Sequence, residues 1–103
     1  MITAIVRYRL PAAIGREDCR AHFLSIAPGF GDVPGLIRKQ FIWSGTGIAG
    51  GVYQWEKRED AQRFYQGPWL DGIRRRYGTD PDIEYFETVA VTDNPGGVVL
   101  VPE

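Results

Sequence analysis

Residues 50–65, which read GGVYQWEKREDAQRFY, decide the fold because a strand pattern passes into a helix pattern with almost no loop between them. From 50 to 56 the side chains alternate between two faces, which is the period of a β-strand. From 58 onward the apolar residues fall three and four apart on one stripe, as in an amphipathic helix: Ala61, Phe64 and Tyr65. Such a helix must lie back over the sheet. We expect the functional site between the two.

The composition describes one soluble domain. The 103 residues are 44% hydrophobic and 24% charged, which suits a single domain, 1–103, with one core. A net charge of -1 with no basic stripe argues against nucleic acid as a partner. No apolar run reaches the length of a membrane span, so no membrane partner is expected. The single cysteine, Cys19, favours a reducing, cytoplasmic setting.

The remaining pattern adds a strand and a helix before this stretch and a strand after it. Strands are predicted at 3–10, 36–44, 50–56 and 82–92, and helices at 16–30, 58–66 and 68–77, with Gly78 as a left-handed cap. This order is the ferredoxin-like βαββαβ split of an α+β protein, with an antiparallel sheet and both helical regions on one face.

The second face of this sheet needs cover. Ile5, Val52 and Phe86 provide an apolar surface for a second copy of the sheet, which predicts a homodimer. The tail, 94–103, ends in a short apolar run that would be a liability if it were free. We expect it to be an edge strand or a clasp on the partner subunit.

Four segments, AHFLSIAP (21–28), GGVYQWE (50–56), AQRFY (61–65) and GPW (67–69), together resemble the YdhR-like monooxygenases of the dimeric α+β barrel superfamily. The resemblance extends to Asn94 and implies a dimeric α+β barrel. Trp55 matches the tryptophan that ends the third strand in the antibiotic-biosynthesis monooxygenases, whereas Gly51 stands where those enzymes have an asparagine. Haem-degrading relatives have an asparagine and a histidine where this chain has Tyr8 and Arg74, so the resemblance does not imply haem degradation.

His22 is the only histidine and lies on the apolar stripe of the first helix. An imidazole titrates near neutral pH, so His22 is the candidate catalytic acid or base, with Tyr53 or Arg38 to stabilise an oxyanion. The alternative is that His22 is a hydrogen-bonded structural residue. The hypothesis of an enzyme requires that His22 and Trp55 face one chamber.

The aromatic residues predict the ligand. With Tyr53, a set of rings is expected to hold a planar phenol or quinone: Phe23, Trp55, Phe64, Trp69 and Tyr85. An enzyme of this kind is a cofactor-independent monooxygenase, because a deprotonated substrate can itself donate an electron to dioxygen. No cofactor and no metal-ligand spacing are predicted. The alternative for the rings is a purely structural role in the core. The alternatives for the protein are a non-catalytic or stress-related protein that binds a small hydrophobic ligand, and an enzyme that isomerises or decomposes a small lactone.

Overall fold

The computed structural model describes residues 1–102, which form six strands and three helices. In chain order these are β1 (Ile2–Arg9), α1 (Arg16–Ile26), β2 (Leu36–Ser44), β3 (Ile48–Trp55), α2 (Arg58–Phe64), α3 (Gly67–Tyr77), β4 (Asp82–Glu87), β5 (Val91–Asp93) and β6 (Val98–Leu100). A 3₁₀ helix, Ala27–Asp32, follows α1 directly. The main sheet has the strand order β2-β3-β1-β4 with antiparallel pairing throughout. The predicted ferredoxin-like α+β fold is confirmed.

Alternation along the strands divides the sheet into a helix-covered face and an open face. In β1 the side chains of Ala4, Val6 and Tyr8 are buried, while the residues between them are more exposed. Cys19 and Phe23 are the buried residues of α1, which therefore packs its apolar stripe against the sheet. Burial of these apolar side chains is the main term that stabilises the fold.

Local signals in the sequence set the helix ends. Before α1, the Asp18 carboxylate accepts a hydrogen bond of 3.0 Å from the backbone N–H of Gly15, which satisfies one of the free donors there. At the other end of the helical layer, α3 stops at Gly78, whose φ of 72° is the left-handed conformation that favours glycine. The predicted cap is confirmed.

The predicted single strand at 82–92 is wrong. β4 ends at Glu87, and the chain forms a separate strand, β5, from Val91. The reason is the length of the neighbouring strand, since Glu87 pairs with Ile2 and the backbone N–H of Thr88 donates to the Met1 carbonyl at 3.0 Å. The pairing of β4 with β1 ends there, at the first residue of β1. The tail instead turns back, and β6 pairs with β5 in a small antiparallel hairpin.

Other boundaries shift by a few residues. β3 begins at Ile48, two residues before the predicted start, and α1 gives way to the 3₁₀ helix after Ile26 because Pro28 cannot continue the α-helical hydrogen bonds. None of the helices within residues 1–102 has both the length and the apolar character that crossing a membrane would require.

The open face of the sheet carries the apolar residues expected there. Ile5 pairs with Val52 in the register of β1 and β3, and Phe86 on β4 is 44% exposed. The homodimer inferred from these residues stays a prediction.

Candidate functional site

A cavity of about 590 Å³ lies between the helical layer and the sheet. Its wall contains six aromatic side chains, Tyr8, Phe23, Phe30, Tyr53, Trp69 and Tyr77. Its basic groups are His22, Lys39, Arg75 and Arg76. The volume falls within the range of small-molecule sites, and the mixture of rings with a few polar groups is typical of them.

Lys39 on β2 is the residue that sequence reasoning missed. Its Nζ lies 3.7 Å from the centroid of the Phe30 ring, 3.8 Å from that of Phe41 and 4.7 Å from that of Tyr53. Three rings therefore surround the amine. Within residues 1–102, every salt bridge joins an arginine to a carboxylate, so Lys39 has no anionic partner.

The charge of Lys39 is set by its burial. Burial lowers the pKa of the Lys39 amine from 10.5 to about 7, because an ammonium taken out of water without a partner is disfavoured relative to the neutral amine. At neutral pH a substantial part of Lys39 is a free amine. A desolvated lysine of this kind can act as a base or as the counter-ion of a bound acid.

Gly51 makes room for this lysine. A Cβ at that position would lie 2.9 Å from the Tyr53 ring, 3.0 Å from Cε of Lys39 and 3.2 Å from the Gln40 carbonyl oxygen. A side chain there would compete with the aliphatic stem of Lys39 for the same space. Gly51 stands where the antibiotic-biosynthesis monooxygenases have an asparagine, and here the absence of a side chain leaves space for the stem of Lys39.

His22 lies half-buried on α1 and also lines the cavity. Its pKa is lowered, first by burial and then by the positive charges of Arg76 and Lys39. A lowered pKa means that the imidazole is neutral at pH 7 and can accept a proton. Its ring centroid is 6.1 Å from that of Phe23, the next residue of the helix.

Tyr8 and Tyr77 form a stacked pair at the cavity wall. Their ring centroids are 4.2 Å apart with an interplanar angle of 26°, and the Tyr8 hydroxyl donates to the Tyr77 hydroxyl at 3.5 Å. Burial raises the pKa of Tyr8, and the hydrogen bond to Tyr77 raises it further. Burial likewise raises the pKa of Tyr53. The Tyr8 and Tyr53 hydroxyls therefore stay protonated at neutral pH and can donate hydrogen bonds.

Trp55 does not line the cavity. Its side chain is 0% exposed, and its Nε1 donates a hydrogen bond of 3.1 Å to the Tyr65 hydroxyl. The indole stacks on Tyr53 with centroids 5.9 Å apart and an interplanar angle of 7°, so Tyr53 stands beside it as part of the cavity wall. The expectation that Trp55 and His22 share one chamber is wrong: the imidazole lines the cavity, whereas the indole is part of the core. The hypothesis of an enzyme therefore loses the support of Trp55 and depends on the residues that do line the cavity with His22, among them Tyr53, on which the indole stacks.

The other predicted ligand-binding residues divide in the same way. Phe23, Tyr53 and Trp69 line the cavity together with His22. Phe64 instead packs against the buried indole at a centroid distance of 5.6 Å, and Tyr85 is covered by the Arg58 guanidinium at 4.6 Å. Neither Phe64 nor Tyr85 lines the cavity.

Arg38, predicted to stabilise an oxyanion, is exposed and lies outside the cavity wall. The next residue, Lys39, occupies the place expected for it. An irregularity in the pairing of β2 with β3 between Leu36 and Arg38 shifts which residues of β2 point toward the helices.

The two positions compared with haem-degrading proteins are occupied by residues with other partners. Tyr8 is engaged with Tyr77, and Arg74 forms an exposed ion pair with Asp80 at 2.6 Å. Within residues 1–102, no three histidine, cysteine, aspartate or glutamate side chains gather as a metal site would require. Cys19 is buried, and burial raises the pKa of its thiol, which makes it a poor nucleophile.

Neither protein-family profiles nor curated protein sequences give a match to this chain. Solved structures do. NE2512, a protein of unknown function from Nitrosomonas europaea, is 19% identical with a TM-score of 0.71, covering 92% of this chain and 95% of its own. The haem degrader MhuD from Mycobacterium tuberculosis, with two haems bound in its active site, is 22% identical with a TM-score of 0.65, covering 86% and 96%.

A third solved structure is SnoaB from Streptomyces nogalater, a cofactor-independent oxygenase. It is 15% identical with a TM-score of 0.61, covering 84% of this chain and 91% of its own. The chain has the fold of the antibiotic biosynthesis monooxygenases. The resemblance inferred from the sequence is confirmed at the level of this fold.

Proposed function

We propose that this chain binds a small aromatic metabolite of the phenol or quinone type in the cavity and acts on it as a cofactor-independent monooxygenase. The observation that carries the proposal is the cavity of about 590 Å³, where six aromatic side chains lie beside a neutral imidazole. The fold shared with the oxygenase SnoaB supports the same reaction class.

The proposed reaction needs binding, deprotonation and exclusion of water. The rings of Phe23, Tyr53 and Trp69 hold the substrate, and His22 takes the phenolic proton. The phenolate then gives an electron to dioxygen, and a phenol with a free para position reacts with one O₂ to give a quinone and one water. The Tyr53 hydroxyl, which burial keeps protonated, donates to the developing oxyanion.

Oxygen uptake tests this function. Wild type and His22→Gln are supplied with a panel of phenols that have a free para position in an oxygen electrode, with Gln62→Ala, an exposed change on α2, as the matched control. We expect one O₂ consumed per quinone formed, and a loss of about 10²–10⁴ in rate for His22→Gln only, which is the range for removal of a general base. An unchanged rate in His22→Gln would remove the imidazole from the mechanism.

One observation favours the second candidate function, a non-catalytic protein that binds a hydrophobic ligand. Within residues 1–102, no side-chain hydrogen bond orients the His22 imidazole, whereas catalytic histidines usually have a partner on the second ring nitrogen. Calorimetric binding of a phenol by the wild type without any oxygen uptake would identify this function.

We also propose that the protein works as a homodimer in the cytoplasm. In support, Ile5, Val52 and the 44% exposed Phe86 lie on the face of the sheet away from the helices, and the lone cysteine is a buried free thiol. Sedimentation at micromolar concentration tests the dimer. We expect a dimer for the wild type and a monomer for Phe86→Glu, which places a charge in the apolar face.

A further inference from the structure

The wall of the cavity carries charge of one sign only. Its basic groups are His22, Lys39, Arg75 and Arg76, and the wall contains no aspartate or glutamate within residues 1–102. A concave site with low-dielectric walls and one sign of charge concentrates ligands of the opposite sign. The cavity therefore favours an anion over a neutral or cationic molecule.

Lys39 marks the point in the cavity where we expect the anionic group of a ligand to bind. The aromatic rings of Phe30, Phe41 and Tyr53 surround Nζ within 4.7 Å, and none of them can neutralise an ammonium as a carboxylate would. An ammonium in such a place is costly unless it is paired. A ligand that brings a negative oxygen to Nζ would supply the partner that the fold omits.

The cavity beside the Lys39 amine suits the planar ring of an aromatic ligand. Tyr53 and Phe30 line the cavity as well as the amine, and Trp69 and Ile73 continue the apolar wall from α3. An arene can stack against these rings while a charged substituent reaches Lys39. The exposed guanidinium groups of Arg75 and Arg76 border the same cavity and add to its positive potential.

We propose that the cavity takes a planar aromatic oxyanion, an arene that carries a carboxylate or a phenolate, with its anionic oxygen paired to the Nζ of Lys39. This inference rests on the proposed function, because it uses the same cavity, and it narrows the substrate class from any small aromatic molecule to an acid. With a phenol, the proton that His22 removes comes to rest on the neutral Lys39 amine, which gives a phenolate and an ammonium. With a carboxylate, which is already ionised, the neutral Lys39 amine takes a proton from the solvent and becomes an ammonium.

Proton linkage makes the two cases measurable. The titratable and charged groups that face the cavity are Lys39 on β2, His22 on α1, the tyrosines Tyr8, Tyr53 and Tyr77, and the two arginines of α3. At pH 8 the imidazole is neutral, since its pKa is lowered, and the buried tyrosines Tyr8 and Tyr53 are protonated. Lys39 is the group whose charge changes when an anion arrives at that pH.

The test is calorimetric titration of the 103-residue chain at pH 8 in phosphate and in Tris, whose different ionisation enthalpies report proton uptake. The probes are 2-naphthoate, 2-naphthol and the neutral 2-naphthalenemethanol. We expect naphthoate to bind at least about tenfold more tightly than the alcohol, as a charge-assisted hydrogen bond should provide. Naphthoate should take up about one proton per ligand, and naphthol close to none. The tighter of the two acids identifies the preferred oxyanion.

Two variants and one labelling measurement assign the effect to Lys39. Lys39→Met should lose both the preference for naphthoate and the proton uptake, while Lys57→Met, which changes the only other lysine of the chain, should keep both. If Lys39→Met fails to fold, the wild type alone decides, because naphthoate should protect Lys39 but not Lys57 from acetylation, as read by mass spectrometry.

The outcomes separate this inference from the proposed function. Equal affinity for naphthoate and the alcohol would overturn the anionic ligand and leave an aromatic site intact. Proton uptake that persists in Lys39→Met would overturn the assignment to this lysine. If none of the three arenes binds, both the inference and the aromatic ligand of the proposed function fail.

Discussion

Replacing Lys39 by methionine is expected to stabilise the protein at neutral pH. An unperturbed lysine amine has a pKa of 10.5, and burial lowers that of Lys39 to about 7. The difference corresponds to about 5 kcal/mol of unfavourable interaction of the ammonium with its surroundings. Methionine has a similar volume and no charge, so Lys39→Met removes this cost. We therefore expect a gain of up to about 5 kcal/mol in the free energy of unfolding.

The gain should depend on pH in a defined direction. The unfolded chain binds a proton at Lys39 below a pH of about 10.5, whereas the folded chain binds one only below about 7. Between these values the unfolded state holds more protons, so the free energy of unfolding of the wild type rises with pH. The advantage of Lys39→Met should be full below pH 7 and should shrink steadily as the pH approaches 10.

Urea denaturation from pH 6 to 9.5 measures this difference. The upper limit avoids the region where the raised pKa values of Tyr8, Tyr53 and Tyr65 make folding less favourable as the unfolded phenols ionise. Lys57→Met is the matched control, because Lys57 is exposed, and its stability should follow the wild type at every pH. A Lys39→Met protein that is less stable than the wild type at pH 7 would refute the reasoning, since it would mean that the rings stabilise a charged ammonium.

Four further substitutions test other parts of the structure. Tyr65→Phe leaves the buried indole N–H of Trp55 without its acceptor, so urea denaturation should show a loss of about 1–3 kcal/mol, and a loss below about 0.5 kcal/mol would disprove the hydrogen bond. Gly51→Ala places a Cβ 3.0 Å from the Cε of the cavity lysine, and the free energy of unfolding should fall by about 1–3 kcal/mol. In thermal denaturation, Gly78→Ala at the left-handed cap should lower the free energy of unfolding by about 1 kcal/mol, whereas Gly72→Ala inside α3 should raise it by about 0.5–1 kcal/mol. A change of the same sign in both variants would mean that helix propensity alone governs both positions.

The fold was predictable because its signals are local. The change of period within residues 50–65 gave β3 and α2 in their correct order, and the glycine at 78 fixed the end of α3. The end of β4 depends on something that its own sequence does not contain, namely the position of the neighbouring strand: Glu87 pairs with Ile2, the first residue of β1. Periodicity reports which residues can form a strand, whereas pairing partners decide how far the strand runs.

The site was less predictable because it depends on which alternate residues of β2 face the helices, which we call the parity of the strand. β2 has apolar side chains on both faces, with Ile37 at 49% exposed and Phe41 packed against the core, so the pattern alone does not show which face carries Arg38 and which carries Lys39. The irregularity near Leu36 then sets that parity. Trp55 was expected in the cavity because it ends a strand under a helix, but the hydroxyl of Tyr65, ten residues away, satisfies its N–H and closes it into the core.

The two expected effects of Lys39→Met, higher stability and weaker binding of an aromatic acid, separate a functional lysine from one that is merely poorly placed. A methionine among Phe30, Phe41 and Tyr53 would satisfy packing without an ionisable group, so packing alone gives no reason for an amine here. Residues that lower stability without a structural gain are typical of binding and catalytic sites. If the variant gained stability and bound naphthoate as the wild type does, the amine would have no role in the site. If it gained stability and lost the acid, the cost of burying Lys39 would be explained by the anion that it binds.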